Sequence, residues 1–255
     1  MLRFIDSFDH YDTAHILGKW TTVAGAGNMV IDTGHPRNGR GCGAFTASGA
    51  RKTIPSSTQY FVGGAFQWNG FGGGVALLDP QDNVQVEWSV GLDGIIRAFN
   101  GTSGTLGAGG ALTAVSLNRY YYVEIGAIID TNTGSVEIRL NGQTIISTSG
   151  VNTGSSVDQL NIFGPGGASL VYVDDLYLCD STSGGATPNN TFLGDVIIST
   201  LTTTAEGDKL QFNVFGTVSS TDTTTHWTHV NEIPPDDDTT YVFNTMTGSS
   251  TTGPS

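Results

Sequence analysis

The sequence predicts an all-β protein, a sandwich or a barrel, on three observations. Apolar runs either alternate with period two or are short and β-branched. Gly- and Pro-marked turns separate them at roughly 8–12-residue spacing. Charged residues make up only 13% of 255, while Gly reaches 36, a mix that suits short strands and tight turns better than solvated helices.

Taken in order, "LRFIDSF" alternates from Leu2, and one helical turn is expected at "HILGKW". "NMVIDTG" and "GCGAFTAS" are short strands bounded by Gly. "STQYFVGGAFQW" is a longer strand with a weak point at Gly63-Gly64, where a bulge or close packing is expected. "PQD" joins "GGVALLD" to "NVQVEWSV" as a hairpin, and "GLDG" leads into "GIIRAFN". "RYYYVEIGAIID", "GSVEIRLNG", "QTIISTS", "DQLNIFGP" and "SLVYVDDLYL" complete the series. Asn141-Gly142 supplies the positive-φ pair of a tight hairpin turn, and Val136, Ile138 and Leu140 alternate toward one sheet.

After Asp180 the texture changes. "STSGGATPNN" reads as a linker. "TFLGDVIISTLTTT", "DKLQFNVFGTV", "THWTHVNEI" and "PPDDDTTYVFN" hold two or three strand candidates but few large apolar side chains. Residues 1–180 are therefore expected to form the sandwich. Residues 181–255 are expected to form a β-rich extended arm for attachment or oligomerisation, ending in low complexity.

The net charge of −13, with no Lys/Arg cluster, argues against nucleic-acid binding. No run approaches the roughly 18 apolar residues of a membrane span, and the N-terminal residues lack an apolar leader core. The expectation is synthesis in a cytoplasm, with exit only by lysis. Cys42 and Cys179 are expected to be free thiols rather than a disulfide.

The run "RYYYVEIGAIIDTNTGSVEIRLNGQTII" resembles the centre of the laminin-G-like, concanavalin A-like jelly-roll sandwiches. "RFIDSFDHY" and "LVYVDDLYL" are similar to that fold's first and last strands, which pair. From about residue 170, "VDDLYLCDSTSG…NNTFLGDVIISTL" and the later "PPDDDTTYV" resemble structural proteins of tailed-bacteriophage virions. That likeness implies a virion protein that decorates or cements the capsid, or sits on the tail as an accessory. It also implies other virion proteins as partners and a homo-oligomer, with a trimer preferred by analogy.

Each candidate site has a plainer alternative. On an ideal strand Asp174 and Asp175 point to opposite faces. One is then expected to face solvent and the other to tie the closing strand to a neighbouring loop. Glucanases of this fold carry paired glutamates on one strand, whereas Glu87, Glu124 and Glu137 each stand alone, so no enzyme is expected. No cofactor is expected either. Calcium is a candidate ion at Asp79, Asp82 and Asn83 or at Asp130 and Asn132, though both stretches are ordinary turn sequences. His226, His229 and Glu232 have metal-compatible composition without a fourth ligand. Asp236, Asp237 and Asp238 form a candidate docking loop or a solvated one. Trp20, Trp68, Trp88 and Trp227 would either line a sugar groove or fill the core. The rival to a virion structural role is thus a lectin-like module for host-surface polysaccharide.

Overall fold

A computed structural model describes residues 1–23, 29–47, 49–101, 104–181 and 190–199, with the backbone of 213–215 and 241–243. The strands begin with β1 (Leu2–Asp6), β2 (Thr22–Val23), β3 (Met29–Asp32), β4 (Cys42–Phe45) and β5 (Ala50–Thr53). The middle of the chain gives β6 (Gln59–Trp68), β7 (Gly74–Leu78), β8 (Val84–Val90), β9 (Ile96–Asn100) and β10 (Gly104–Ala108). Then come β11 (Tyr121–Ile128), β12 (Gly134–Leu140), β13 (Gln143–Val151), β14 (Gln159–Phe163) and β15 (Val171–Asp180). The helical turn near Ile16 is a 3-10 segment, Thr13–Gly18, capped by Asp12, whose Oδ1 accepts from Ala14 N at 2.8 Å.

Two antiparallel sheets form a sandwich, one of the two architectures that the alternation predicts and the all-β jelly roll that the resemblance implies. The first sheet runs β13-β12-β11-β6-β15-β4-β3, with β1 also on β15. The second runs β10-β9-β8-β7-β14-β5-β2. First and last strands pair, Leu2 opposite Cys179 and Asp6 opposite Leu176. Alternate residues of both sheets meet in one core that includes Val136, Ile138, Trp88, Val75, Ile162 and Leu178. Burying each large apolar side chain contributes about 1.5–3 kcal/mol. Asn141 and Gly142 sit at φ 49° and 79° between β12 and β13, the backbone that a two-residue hairpin turn requires.

Gly63 shows why the centre of β6 lacks side chains. A Cβ there would lie 2.4 Å from Cε1 of Tyr177 on β15, so glycine makes the room for that ring. Of the bulge or close packing expected at Gly63-Gly64 the structure has the close packing, and the register irregularity falls on the facing strand, between Asp174 and Tyr177.

Residues 190–199 are not a strand. They lie as a strap over the outer face of the first sheet, with the Phe192 ring edge-on to Phe61 at 5.1 Å. The sandwich unit therefore runs from Met1 to Ser199, past the boundary expected at residue 180. Of Thr200–Ser255 the structure describes β16 (Asn213–Phe215) paired antiparallel with β17 (Tyr241–Phe243). No helix among the described residues is long and apolar enough to cross a membrane.

Candidate functional site

The outer face of the second sheet carries a row whose members lie between Thr22 and Asn161 in the sequence. Register pairs Thr22 with Arg51, Arg51 with Asn161, and Asn161 with Ala76. The row continues from Ala76 to Glu87, then to Phe99 and Thr105. The neighbours of these residues along each strand, Ala50, Ile162, Val75, Trp88 and Ala98, lie in the core, so the row itself faces outward. Strand spacing puts Glu87 about 10 Å from Asn161, across the small side chain of Ala76.

Three features set this row apart from an ordinary solvated face. Glu87 is half-buried, and burial raises its carboxyl above the ordinary value, with the Ser89 hydroxyl partly offsetting the rise. Arg51 Nε and Asn161 Oδ1, on directly paired residues, are both shielded from water and both lack a hydrogen-bond partner. Such groups cost about 1–3 kcal/mol each, so folded proteins keep few of them. Phe99, beside Glu87, contributes a partly exposed ring.

The flanking cations are engaged. Arg51 Nη1 pairs with Asp82 Oδ2 at 2.6 Å, and Gln159 Nε2 donates to Asp82 Oδ1 at 3.0 Å. Arg97 clasps Asp93 through Nη1 at 2.8 Å and Nη2 at 2.6 Å, which holds the Asp93 carboxyl well below its usual range.

The outer face of the first sheet is organised differently. Asp174 and Asp175 are each 1% exposed, so neither faces solvent as the ideal-strand reading expects. Asp175 adopts a positive φ of 51° within the irregularity of β15, and this turns both carboxylates toward one loop. Asp174 Oδ2 accepts from Arg37 N at 2.9 Å and Asn38 N at 3.3 Å. Asp175 Oδ2 accepts from Arg37 Nη1 at 3.1 Å and Asn38 Nδ2 at 3.2 Å. The remaining oxygens take Asp175 N at 2.8 Å and Ile198 N of the strap at 2.7 Å. Burial first, then the charge of Asp175, pushes the Asp174 carboxyl up to about 7, and burial raises Asp175 as well.

The strap is held along its length. Arg37 Nη2 meets Asp195 Oδ1 at 2.5 Å, and Glu124 Oε1 accepts from Tyr177 Oη at 2.5 Å and Gly194 N at 2.8 Å. The Arg139 guanidinium lies 3.9 Å over the Phe192 ring. Nothing in the sequence around Glu124 marks it as an anchor, because its partners come from the end of β15 and from the strap.

The other sequence candidates fall elsewhere. Asp79 Oδ1 accepts from Gln81 N and Asn83 N, each at 2.9 Å, and Asp130 Oδ1 from Asn132 N and Thr133 N, each at 2.7 Å. These carboxylates act as turn caps. Among the described residues no group of three His, Cys, Asp or Glu could hold a metal ion. Glu137 accepts from Arg139 Nε and Thr144 Oγ1 at 2.8 Å each. Trp20, Trp68 and Trp88 are at most 1% exposed, so they fill the core and cannot stack on a sugar. Cys42 and Cys179 are free and buried, with thiols pushed up to about 12 and about 11. His226, Trp227, His229, Glu232, Asp236, Asp237 and Asp238 lie outside the described residues. A groove of about 610 Å³ is lined by Asp79, Gln85 and Asn152 among others. Gln85 Oε1 there already accepts from Ser155 N at 3.0 Å.

No family model matches the chain, and no curated protein matches it. Solved structures do. A sialidase matches with a TM-score of 0.48 and 10% identity over 69% of this chain, which spans only 19% of that protein. The carbohydrate-binding module CBM66 from Bacillus subtilis matches with 0.39 and 11% identity, covering 52% of this chain and 84% of that one. The galectin LEC-6 of Caenorhabditis elegans matches with 0.38 and 14% identity, over 54% and 96%. The likeness in each case is one of β-sandwich architecture.

Proposed function

We propose that the sandwich is a non-catalytic glycan-binding module whose binding face is the outer face of the second sheet. The observation that carries this reading is the Arg51–Asn161–Ala76–Glu87–Phe99 row, which combines orphaned polar atoms, a half-buried carboxylate and an aromatic ring. A few placed polar groups beside an aromatic surface are what a sugar ring needs, since it has hydroxyl edges and an apolar C–H face. Hydrolysis by the usual pair of carboxylates is disfavoured, because Glu87 is the only carboxylate among the strands of this sheet.

The virion role belongs to the same proposal and is supported by the sequence resemblance from about residue 170 onward. In that reading the module decorates or cements the capsid of a tailed phage, or serves as a tail accessory. The arm beyond the strap attaches it to the major capsid or tail protein, or to copies of itself. Display in many copies would let weak individual contacts act together. The test pairs two measurements on the purified full chain, retention by polysaccharides and co-sedimentation with phage particles stripped of it. Retention that fails in Asn161→Ala supports the glycan face, and saturable co-sedimentation supports the virion role. Retention unaffected by that change would place the sugar elsewhere.

A further inference from the structure

We infer that the open face selects neutral, hydroxyl-presenting sugars and rejects acidic ones, an inference that rests on the glycan-binding reading above. Three observations lead to it.

The first is the orphaned pair. Arg51 Nε is a donor without an acceptor, and Asn161 Oδ1 is an acceptor without a donor, on residues that face each other in register. A sugar hydroxyl both accepts and donates, so one hydroxyl or two adjacent ones satisfy both atoms together. A carboxylate accepts only. It would meet Arg51 but would set its own negative charge against the Asn161 oxygen. Both atoms are shielded, so a ligand reaches them by shifting the Arg51 side chain. Its outer end is held by Asp82, which is itself 53% exposed, and a surface ion pair of this kind resists such a shift weakly.

The second is charge. An acidic sugar needs a cation to offset its charge, and each arginine on the strands of this sheet already has a carboxylate beside it, so drawing Arg51 away would leave Asp82 uncompensated. Arg51 is paired with Asp82 and Arg97 with Asp93. Lys52 turns to the other side, where Nζ donates to Lys19 O at 2.5 Å and lies 5.2 Å from the Phe4 ring centre. What remains on the row is Glu87, within a chain of net charge −13. A like charge placed opposite it is a repulsive element that excludes the wrong ligand.

The third is spacing. About 10 Å separates Asn161 from Glu87 across Ala76, and one further strand leads to Phe99, about 14 Å from Asn161. Ala76 is only 2% exposed, so neighbouring side chains close over the middle of the row; one sugar unit would lie over the orphaned pair and the next between Glu87 and Phe99. Glu87 then accepts from hydroxyls, and the ring packs on a C–H face.

The full chain is tested by affinity electrophoresis against neutral polysaccharides (glucans, mannan, galactan) and acidic ones (polygalacturonate, alginate, polysialic acid), each at low and high salt. The expected result is retention by a neutral polymer, insensitive to salt and weakened about tenfold in Asn161→Ala and in Glu87→Ala. Unchanged thermal unfolding in both variants would separate lost recognition from lost folding. Retention by acidic polymers alone would overturn the selectivity while leaving a glycan-binding module. Retention by none would overturn both. Neutral retention that ignores both substitutions would overturn the assignment of this row.

Discussion

The two outer faces of this sandwich are built from the same alternating strands, yet they meet their polar groups in different ways. On the first sheet, Glu124, Asp174, Asp175 and Tyr177 are buried beneath the strap and the Arg37–Asn38 loop, and protein donors fill their oxygens except Glu124 Oε2, which has no partner. On the second sheet, Arg51, Asn161 and Glu87 are half-covered, and Arg51 Nε and Asn161 Oδ1 have no partner. A satisfied polar network fixes a segment in place, whereas an unsatisfied one costs stability until something binds. Substitutions on the covered face should therefore change stability and leave sugar binding alone, and those on the open face should do the reverse.

The largest expected effect is at Arg37, which meets Asp175 at 3.1 Å and Asp195 at 2.5 Å while 20% exposed. Arg37→Ala leaves Asp175 buried beside Asp174 without a cation, at an expected loss of about 3–4 kcal/mol in denaturant unfolding. A loss under about 0.5 kcal/mol would mean that the clasp contributes no more than a surface pair.

Protonation sharpens the same point. Asp174 titrates at about 7 in the fold, against an ordinary value of 3.8, so the native state keeps a proton that the unfolded chain has released. Its contribution to stability is full below the ordinary value and is lost as pH rises through about 7. Unfolding free energy should fall by about 2–3 kcal/mol from pH 5 to pH 7 through this group. Asp174→Asn should flatten that slope, and an equal slope in the variant would assign it to another group.

Phe192→Ala should cost less, about 1–2 kcal/mol, because the ring is only partly buried against Phe61 and under Arg139. Its clearer signature is hydrogen exchange. The amides of Leu193 and Gly194, which donate to Tyr177 Oη and Glu124 Oε1, should lose protection while those of β11 keep theirs. Unchanged strap amides would mean that the side-chain acceptors alone hold it.

The sandwich was legible in the sequence because its signals are local. Period-two alternation in "GSVEIRLNG" names the buried residues, and Asn-Gly names the turn. The candidate site was not legible, because Arg51, Asn161 and Glu87 become neighbours only through cross-strand register. Taken singly, each looks like a polar residue on the wet side of a strand. The carboxylate pair was misread for a related reason. Opposite faces follow from a regular strand, but Asp175 takes a left-handed backbone where the sequence offers no glycine to announce it. "TFLGDVIIST" carries strand-like residues, yet four of its amide and carbonyl groups go to Tyr177, Glu124, Asp175 and Arg37 side chains, so it lies across a sheet without joining one.

The smallest effect on stability should come from Phe99, and it is the one that bears most directly on the open face. Phe99 is partly exposed and is not part of the core, although Ala98 beside it is. Phe99→Ala should therefore shift unfolding by only about 0.5 kcal/mol, as surface substitutions do. Against a retained neutral polysaccharide, loss of the ring should weaken binding about tenfold, because a sugar stacked there loses its apolar support. If stability falls by several kcal/mol instead, the ring belongs to the fold rather than to recognition. The contrast between the two faces would then fail at its outermost residue, leaving Arg51, Asn161 and Glu87 to carry recognition by hydrogen bonds alone.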